Sequence, residues 1–478
     1  MEDELDRARR LAKTFELSHE DVQRCSKAFI GELRLGLKQR TPSMCQIPTF
    51  VTRVAGGQEK GVALGVDLGG TNLRVCSVAL HGDTTSTVLQ WQLPVPPSIM
   101  VCDKAEPLFA FIANGVHDFL KTYHQSHLDA TTHDANIPYI SLGFTFSFPA
   151  YQTALKSGVL LRWTKGFSIP EALGQDVCAL LQDRLDALQL PVKVTALVND
   201  AVGTIMARAY QLPPLHIRPT VGAIFGTGTN GAYLQALDEV TKPIEGHVKG
   251  SSQSMFMSTE WGSFDNKLTV LPVTIYDAEL DKSSVNPGDQ MFEKRVSGMF
   301  LGELLRLAVL DLCQNDTGQG FNGFPIMETT LTKRWSADSS ILSLAEADNS
   351  IGLLELRHRI SHTFEIPEEH VTPTDAQAVK LIAQGIGIRA ARLAGMAVGS
   401  VIVQGGLLDK GDSRVDVAVD GSLIEHYPGF ETHMRGALKA IDKISDVGER
   451  HISIGHTKHG SSVGAAVIAL MASGGSQI

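Results

Sequence analysis

Eight consecutive residues, Asp67-Leu-Gly-Gly-Thr-Asn-Leu-Arg74, bring a carboxylate, two glycines and three polar donors together. A carboxylate at a strand end can anchor the water shell of Mg2+, and paired glycines let backbone approach a ligand closely. Thr71, Asn72 and Arg74 can donate to phosphate oxygens. A hairpin with a capping aspartate would use the same residues without any ligand. Gly226-Thr-Gly-Thr-Asn-Gly231 has the spacing G-x-G-x-x-G. The dinucleotide fingerprint needs a helix after it, but Ala232-Tyr-Leu-Gln-Ala-Leu237 alternates like a strand. The segment therefore reads as a hairpin turn, bare or with its N–H groups forming an anion nest. Gly460-Ser-Ser-Val-Gly464 has the form G-x-S-x-G, but no Asp, Glu or His follows Ser462, and a hydrolase elbow needs both partners downstream. It reads as a glycine-rich turn leading into a helix, able to hold phosphate or ribose. No G-x-x-x-x-G-K-[ST] occurs.

The elements around these segments follow from periodicity. Gly61 to Asp67 is an apolar run of strand length that breaks at Gly69-Gly70 and resumes from Leu73 to Leu80, which predicts a β-hairpin. Val221 to Phe225, the Gly226 loop and Ala232 to Leu237 predict a second. Two such hairpins, each heading a mixed region, imply two similarly built α/β lobes joined near residue 200, with room for a nucleotide between them. Leu11, Phe15, Val22, Phe29, Leu33 and Leu37 recur at helical spacing and predict one or two outer helices. Beyond about residue 300 the pattern is mostly helical, clearest over Gly302 to Leu312 and Ala376 to Ala397. Pro367 and Pro373, with Glu365, Glu368 and Glu369, mark a solvated connection. Val401-Ile-Val403 and His451 to Ile454 predict late strands, and Gly464 to Met471 a last helix.

Composition narrows the function classes. The 478 residues carry 42 Lys+Arg against 52 Asp+Glu, a formal charge of -10, which leaves no basic surplus for a nucleic-acid backbone. The acidic N-terminus has no secretory pattern, and apolar stretches such as Val463 to Ala472 are shorter than the ~18 residues of a membrane span. A soluble cytoplasmic protein with no membrane partner is expected, and Ser-Gln-Ile at the C-terminus is a poor match to a peroxisomal address. Six scattered cysteines with no CxxC pair predict buried thiols rather than disulfides or a zinc site. The 45 glycines are the one compositional excess.

Leu64-Gly-Val-Asp-Leu-Gly-Gly-Thr-Asn-Leu-Arg-Val75 closely resembles the first phosphate motif of the hexokinases, within the sugar-kinase, Hsp70 and actin superfamily. Four further segments agree in order and spacing: Leu142-Gly-Phe-Thr-Phe-Ser-Phe-Pro149, Trp163-Thr-Lys-Gly-Phe167, Leu197-Val-Asn-Asp200 and Thr259-Glu-Trp-Gly-Ser-Phe-Asp-Asn266. The stretch from Asn286 to Arg306 looks most like the fungal glucokinase branch. The resemblance implies an α/β fold of two ribonuclease-H-like lobes, with mixed β-sheets flanked by helices and a cleft between them. The smaller lobe would comprise 61–199 plus 461–478, the larger 1–60 plus 200–460. It implies ATP-dependent phosphorylation of glucose at the 6-hydroxyl, with Mg2+.

A sugar is a ring of neutral hydroxyls, so a specific site must leave no donor or acceptor unpaired. The resembling segments supply Ser147, Phe148, Pro149, Thr164, Lys165, Asn199, Asn230, Gln290 and the carboxylates Glu260 and Glu293. Those two are too far apart in sequence to meet without the fold. A primary hydroxyl is a poor nucleophile, so a carboxylate must orient it and take its proton, the role the resemblance gives Asp200. Asp200 also reads as the N-cap of the helical run that follows it, and one position can both cap a helix and face a cleft. Arg74, Thr71, Asn72, Thr227 and the N–H groups of Gly69, Gly70, Gly226 and Gly228 would hold phosphates, with Asp67 reaching the metal through water and Lys165 near the transferred group. Gly421, Ser422 and Ser461 fall in the segments that resemble the adenosine site. Closure on bound sugar would exclude water, hinged near Asn199-Asp200 and near residue 460. Tyr151 and Ser462 depart from the family pattern, at the rim of the sugar pocket and at the nucleotide turn. A silent sugar sensor would be expected to have lost Asp200, Lys165 or the Asp67 hairpin, and a chaperone-type ATPase would have no use for the sugar segments.

Overall fold

Both glycine hairpins form, and each seeds a sheet. The computed structural model describes residues 4–40, 43–70, 72–133, 139–246, 252–314, 321–409, 413–457 and 460–474; Thr71 lies outside them. In chain order the strands are β1 (Ile47–Pro48), β2 (Lys60–Leu68), β3 (Asn72–His81), β4 (Ser86–Pro94), β5 (Ile140–Phe146), β6 (Ala150–Ala154) and β7 (Ser157–Leu160). They continue as β8 (Val192–Val198), β9 (Pro219–Phe225), β10 (Thr229–Ala236), β11 (Ser254–Ser258), β12 (Val415–Asp420) and β13 (Ile452–His456).

One sheet runs β4-β3-β2-β5-β8 and the other β1-β11-β10-β9-β12-β13. Without the edge strand β1 the two orders are the same: three antiparallel strands made by consecutive hairpins, then two parallel strands beside the first of them. The duplication inferred from two hairpins is thus a duplication of topology. All seven residues of β5 are buried, as expected for a parallel strand covered on both faces. In the first hairpin Asp67 lies directly opposite Arg74, so their pairing is set by register.

Two helices tie the sheets together. The helix Asp200–Gln211 follows β8 of the first sheet yet packs on β9 and β12 of the second, while Gly460–Ala472 follows β13 and packs on β2, β5 and β8 of the first. They cross with backbone against backbone. A Cβ at Gly464 would lie 1.8 Å from the Gly203 carbonyl oxygen, and one at Gly203 would lie 2.7 Å from the Ser461 carbonyl oxygen. A separate core lies around this crossing, including Ile205, Met206, Val463 and Val467.

Several sequence expectations change. Val401-Ile-Val403 is not a strand but the end of the helix Pro373–Gln404. That helix starts with a Thr372/Asp375 capping box and Pro373 at its first turn, so Pro373 opens a helix and is not part of a solvated connection. Burial of its later residues overrides the β-preference of a Val-Ile-Val run. The same helix is long and apolar enough to pass for a membrane span, with 83% of its most apolar window buried inside the protein. Gly460 to Gly464 is not a turn ahead of a helix but the helix's first turn. The described cysteines are free thiols, four of them buried and Cys45 and Cys102 partly exposed.

Gly464→Ala is expected to overpack the crossing and cost about 1–3 kcal/mol, read as a lowered urea midpoint. Gly436→Ala is the contrasting case: it lies in the helix Phe430–Lys439, and its nearest neighbour is an Arg392 nitrogen 3.9 Å from the added Cβ. There a gain of roughly 0.4–1 kcal/mol is expected.

Candidate active site

Strand ends converge on one cleft. β2 ends beside Asp67, β5 leads into Ser147, β8 into Asn199 and Asp200, β9 into Gly226, and β12 ends at Asp420. The carboxyl ends of parallel strands are where α/β sheets place their ligands. Two adjoining cavities open there.

The first is lined by all eleven residues nominated for the sugar, among them Ser147, Phe148, Pro149, Thr164 and Asn199. Asn230 Nδ2 donates to Glu260 Oε1 at 3.0 Å and to Ser258 Oγ at 3.0 Å, and Ser258 Oγ donates to the same Glu260 oxygen at 2.8 Å. Gln290 Nε2 donates to Glu293 Oε1 at 3.3 Å, and the Thr229 N–H donates to Glu293 Oε2 at 2.9 Å. The fold thus brings Glu260 and Glu293 to one cavity. Gly228 makes room for this, since a Cβ there would lie 2.8 Å from Glu293 Oε2. Burial raises the Glu293 carboxyl above its ordinary range, against the Thr229 N–H, Lys165 and Gln290, which lower it. Lys165, Glu260 and Gln290 all have left-handed backbone, with φ of 56°, 55° and 56°. Non-glycine residues held there carry strain of order 1–3 kcal/mol each, which neighbouring packing must maintain.

The second cavity, about 470 Å3, is lined by Asp67, Gly69, Gly70, Asn72 and Arg74 from the first sheet. Across it lie Gly226, Thr227 and Gly228, with Gly421, Ser422 and Ser461. Asp67 Oδ2 accepts from Arg74 Nη1 at 3.2 Å and from Ser461 Oγ at 3.0 Å. Its Oδ1 has no hydrogen-bond partner among the described residues, an oxygen of the kind a hydrated divalent cation takes. A carboxylate oxygen without a protein partner at the wall of this cavity fits Mg2+, which keeps several waters and binds through one or two carboxylates plus phosphate oxygens.

The cavities share a wall of Ser147, Lys165, Asp200, Ile224 and Gly228. Lys165 Nζ donates to the Ser147 carbonyl oxygen at 2.8 Å. The helix cap is Asn199, not Asp200: Asn199 has extended backbone, and its side chain accepts from the Ala201 N–H at 3.0 Å. Asp200 is the first helical residue, with Oδ1 accepting from the same N–H at 2.8 Å. Burial pushes its carboxyl up to about 6; Lys165 and the Ala201 N–H pull it down, and Asp67 and Glu260 push it up.

Sequence reasoning nominated no role for Ile224, Thr229, Gly262 or Glu425, and placed Asp420 only within the Asp420-Gly421-Ser422 segment that resembles the adenosine site; all of them line these cavities. Thr229 sits inside the glycine motif and Asp420 beside Gly421, so proximity to nominated residues was their only signal. Tyr151 does not line the sugar-side cavity; the Arg40 guanidinium lies over its ring, 4.6 Å from the centroid. Ser462 is buried and lines the larger cavity.

Two family models, both described as Hexokinase, match residues 7–210 and 220–471. A glucokinase of Aspergillus niger is 46% identical, the alignment covering 98% of this chain and 97% of the relative. Glucokinase-1 of Saccharomyces cerevisiae is 38% identical over 96% of this chain and 95% of its own length. The solved hexokinase from Schistosoma mansoni complexed with glucose superposes with a TM-score of 0.80 at 32% identity, covering 98% of this chain and 99% of that one.

The raised carboxyl of Asp200 has a consequence for stability. The folded protein holds this proton up to about pH 6, whereas the unfolded chain releases it near ~3.9. The group therefore contributes stability below the unfolded value that is lost as pH rises through 6. Asp200→Asn, which removes the charge and keeps the shape, is expected to raise the urea midpoint at pH 7.5 and to raise it less at pH 5. An equal gain at both values would show that the charge is not the cause.

Proposed function

The chain belongs to the hexokinase family, and on that premise we propose that it transfers the terminal phosphoryl group of ATP to the 6-hydroxyl of glucose. One observation carries the reading. Among the described residues the ionisable side chains common to the two cavities are Lys165 and Asp200, so an acceptor in the smaller cavity and a phosphate in the larger one meet at a cation and a carboxylate.

Asn230, Glu260, Gln290 and Glu293 offer the mixed donors and acceptors that a sugar's hydroxyls require, fixed before it arrives. Asp200 takes the proton of the attacking hydroxyl, and its high pKa matches that task better than an ordinary aspartate would. Lys165, tethered to the Ser147 carbonyl, faces the charge that builds on the moving group. Arg74, Asn72, Thr71, Thr227 and the N–H groups of Gly69, Gly70, Gly226 and Gly228 orient the phosphates. Gly421, Ser422 and Ser461 border the adenosine. Asp67 would hold Mg2+ through its water shell, and the ion would supply charge neutralisation and alignment of the phosphates. The lobes, 61–199 plus 461–478 and 1–60 plus 200–460, close on the sugar and exclude water.

The test is ADP release from ATP and Mg2+ with and without glucose, with mannose and fructose in parallel arms. Glucose is expected to stimulate release, and Asp200→Ala to lower kcat by about 10²–10⁴-fold. Absence of stimulation, or full rate in the mutant, would remove the assignment. In the wild type, kcat/KM is expected to fall about tenfold per unit as pH drops below about 6, because Asp200 then holds its proton. A flat profile from pH 7 to 5 would rule out this carboxylate as the base.

A further inference from the structure

We propose that Asp420 is a positioning residue for phosphoryl transfer, an inference that rests on the nucleotide reading of the larger cavity. Asp420 ends β12 and lines that cavity. A carboxylate in a space meant for a polyanion repels it unless the charge is committed elsewhere. Here both oxygens are engaged: Oδ1 accepts from the Gly421 N–H at 2.7 Å and Oδ2 from the Gly460 N–H at 2.8 Å. The Gly460 N–H opens the last helix, so a backbone donor that would otherwise be free for phosphate is held by protein.

What that first turn turns toward the first sheet is Ser461, whose hydroxyl donates to Asp67. The start of the helix is therefore held between two carboxylates, Asp420 from the second sheet and Asp67 from the first. Gly421 is fixed independently: its φ is +121°, and a Cβ there would lie 2.4 Å from the Phe225 carbonyl carbon. With Gly421 packed against Phe225, the Asp420 carboxylate bridges the Gly421-Ser422 segment to the helix start, and so to Ser461 and Asp67. It acts on the nucleotide through these groups.

The experiment compares the full-length wild type with Asp420→Ala and Asp420→Asn, in kinetics with each substrate varied and in calorimetric titration with ATP alone. Asp420→Ala is expected to raise the KM for ATP and weaken calorimetric ATP binding at least tenfold, with the KM for glucose within twofold of wild type. Asp420→Asn, which keeps one acceptor oxygen, should fall between and carries the test if the alanine variant does not fold. A lowered melting temperature with ATP parameters unchanged would overturn the proposal and leave Asp420 as a helix cap only. Equal shifts for ATP and glucose would overturn it as well. If the wild type shows no glucose-dependent ADP release, the kinase reading fails; the titration then decides, weakened ATP binding supporting Asp420's role and unchanged binding overturning it.

Discussion

The crossing of two helices at Gly203 and Gly464 is the constraint on which the rest of the molecule depends. Side chains at those positions would hold the helices apart by the width of a methyl group or more, because the contact is already backbone to backbone. Each helix leaves one sheet and packs on the other, so the crossing is the joint through which the two sheets are connected. It also brings the two helix N-termini, with Asp200 at one and Gly460-Ser461 at the other, to the floor of the same cleft. A protein with a formal charge of -10 repels an anionic ligand at long range. Local N–H groups and a few placed cations must therefore do the attracting, and the hairpin glycines are where backbone is bare enough to supply them.

Two of the left-handed residues of the sugar-side cavity, Glu260 and Lys165, lie beside tryptophans, Trp261 buried and Trp163 partly so. Trp261 is fully buried next to Glu260; its Nε1 donates to Thr229 Oγ1 at 3.0 Å, and its ring fills the space where a Gly231 side chain would be, 2.2 Å from the added Cβ. Trp163, two residues before Lys165, donates through Nε1 to the Ile169 carbonyl at 2.8 Å and stacks on Phe167. Each tryptophan is an apolar anchor with one directional bond, so the chain beside it cannot relax without breaking both. Strain at Lys165 and Glu260 is thereby converted into fixed direction for their charged ends.

Much of this was legible in the sequence, for reasons that differ by segment. The Asp67 hairpin could be read because strand alternation and paired glycines are local signals, and register then placed Arg74 opposite Asp67 without further information. Asp200 and Asn199 were nominated together, but which one caps the helix depends on a single backbone angle that composition does not encode. Val401-Ile-Val403 misled because β-branched residues prefer strands only until burial decides otherwise. The meeting of Glu260 with Glu293 is a product of tertiary structure alone, invisible to spacing and available only through likeness to a known family. Asp420 was placed only within a segment resembling the adenosine site and not as a bond acceptor, since the Gly421 and Gly460 donors to it are backbone N–H groups, which every residue but proline carries.

The contacts across the outer rim bear on what holds the cleft shut. Arg40 lies over the Tyr151 ring, with its charged side chain more than half exposed. Arg162 Nη2 reaches Ser263 Oγ only at 3.5 Å. An exposed cation–π contact is worth about 0.5–1 kcal/mol. Such contacts are too weak to hold two lobes together against the freedom gained on opening. The cavity they rim, by contrast, is walled by Asn199 on one side and by Asp200, Asn230, Glu260, Gln290 and Glu293 on the other, polar groups that a ligand with several hydroxyls would engage together. Closure that draws its stability from the enclosed ligand, rather than from the rim, ties completion of the site to occupancy, which is how a transferase keeps water from taking the acceptor's place.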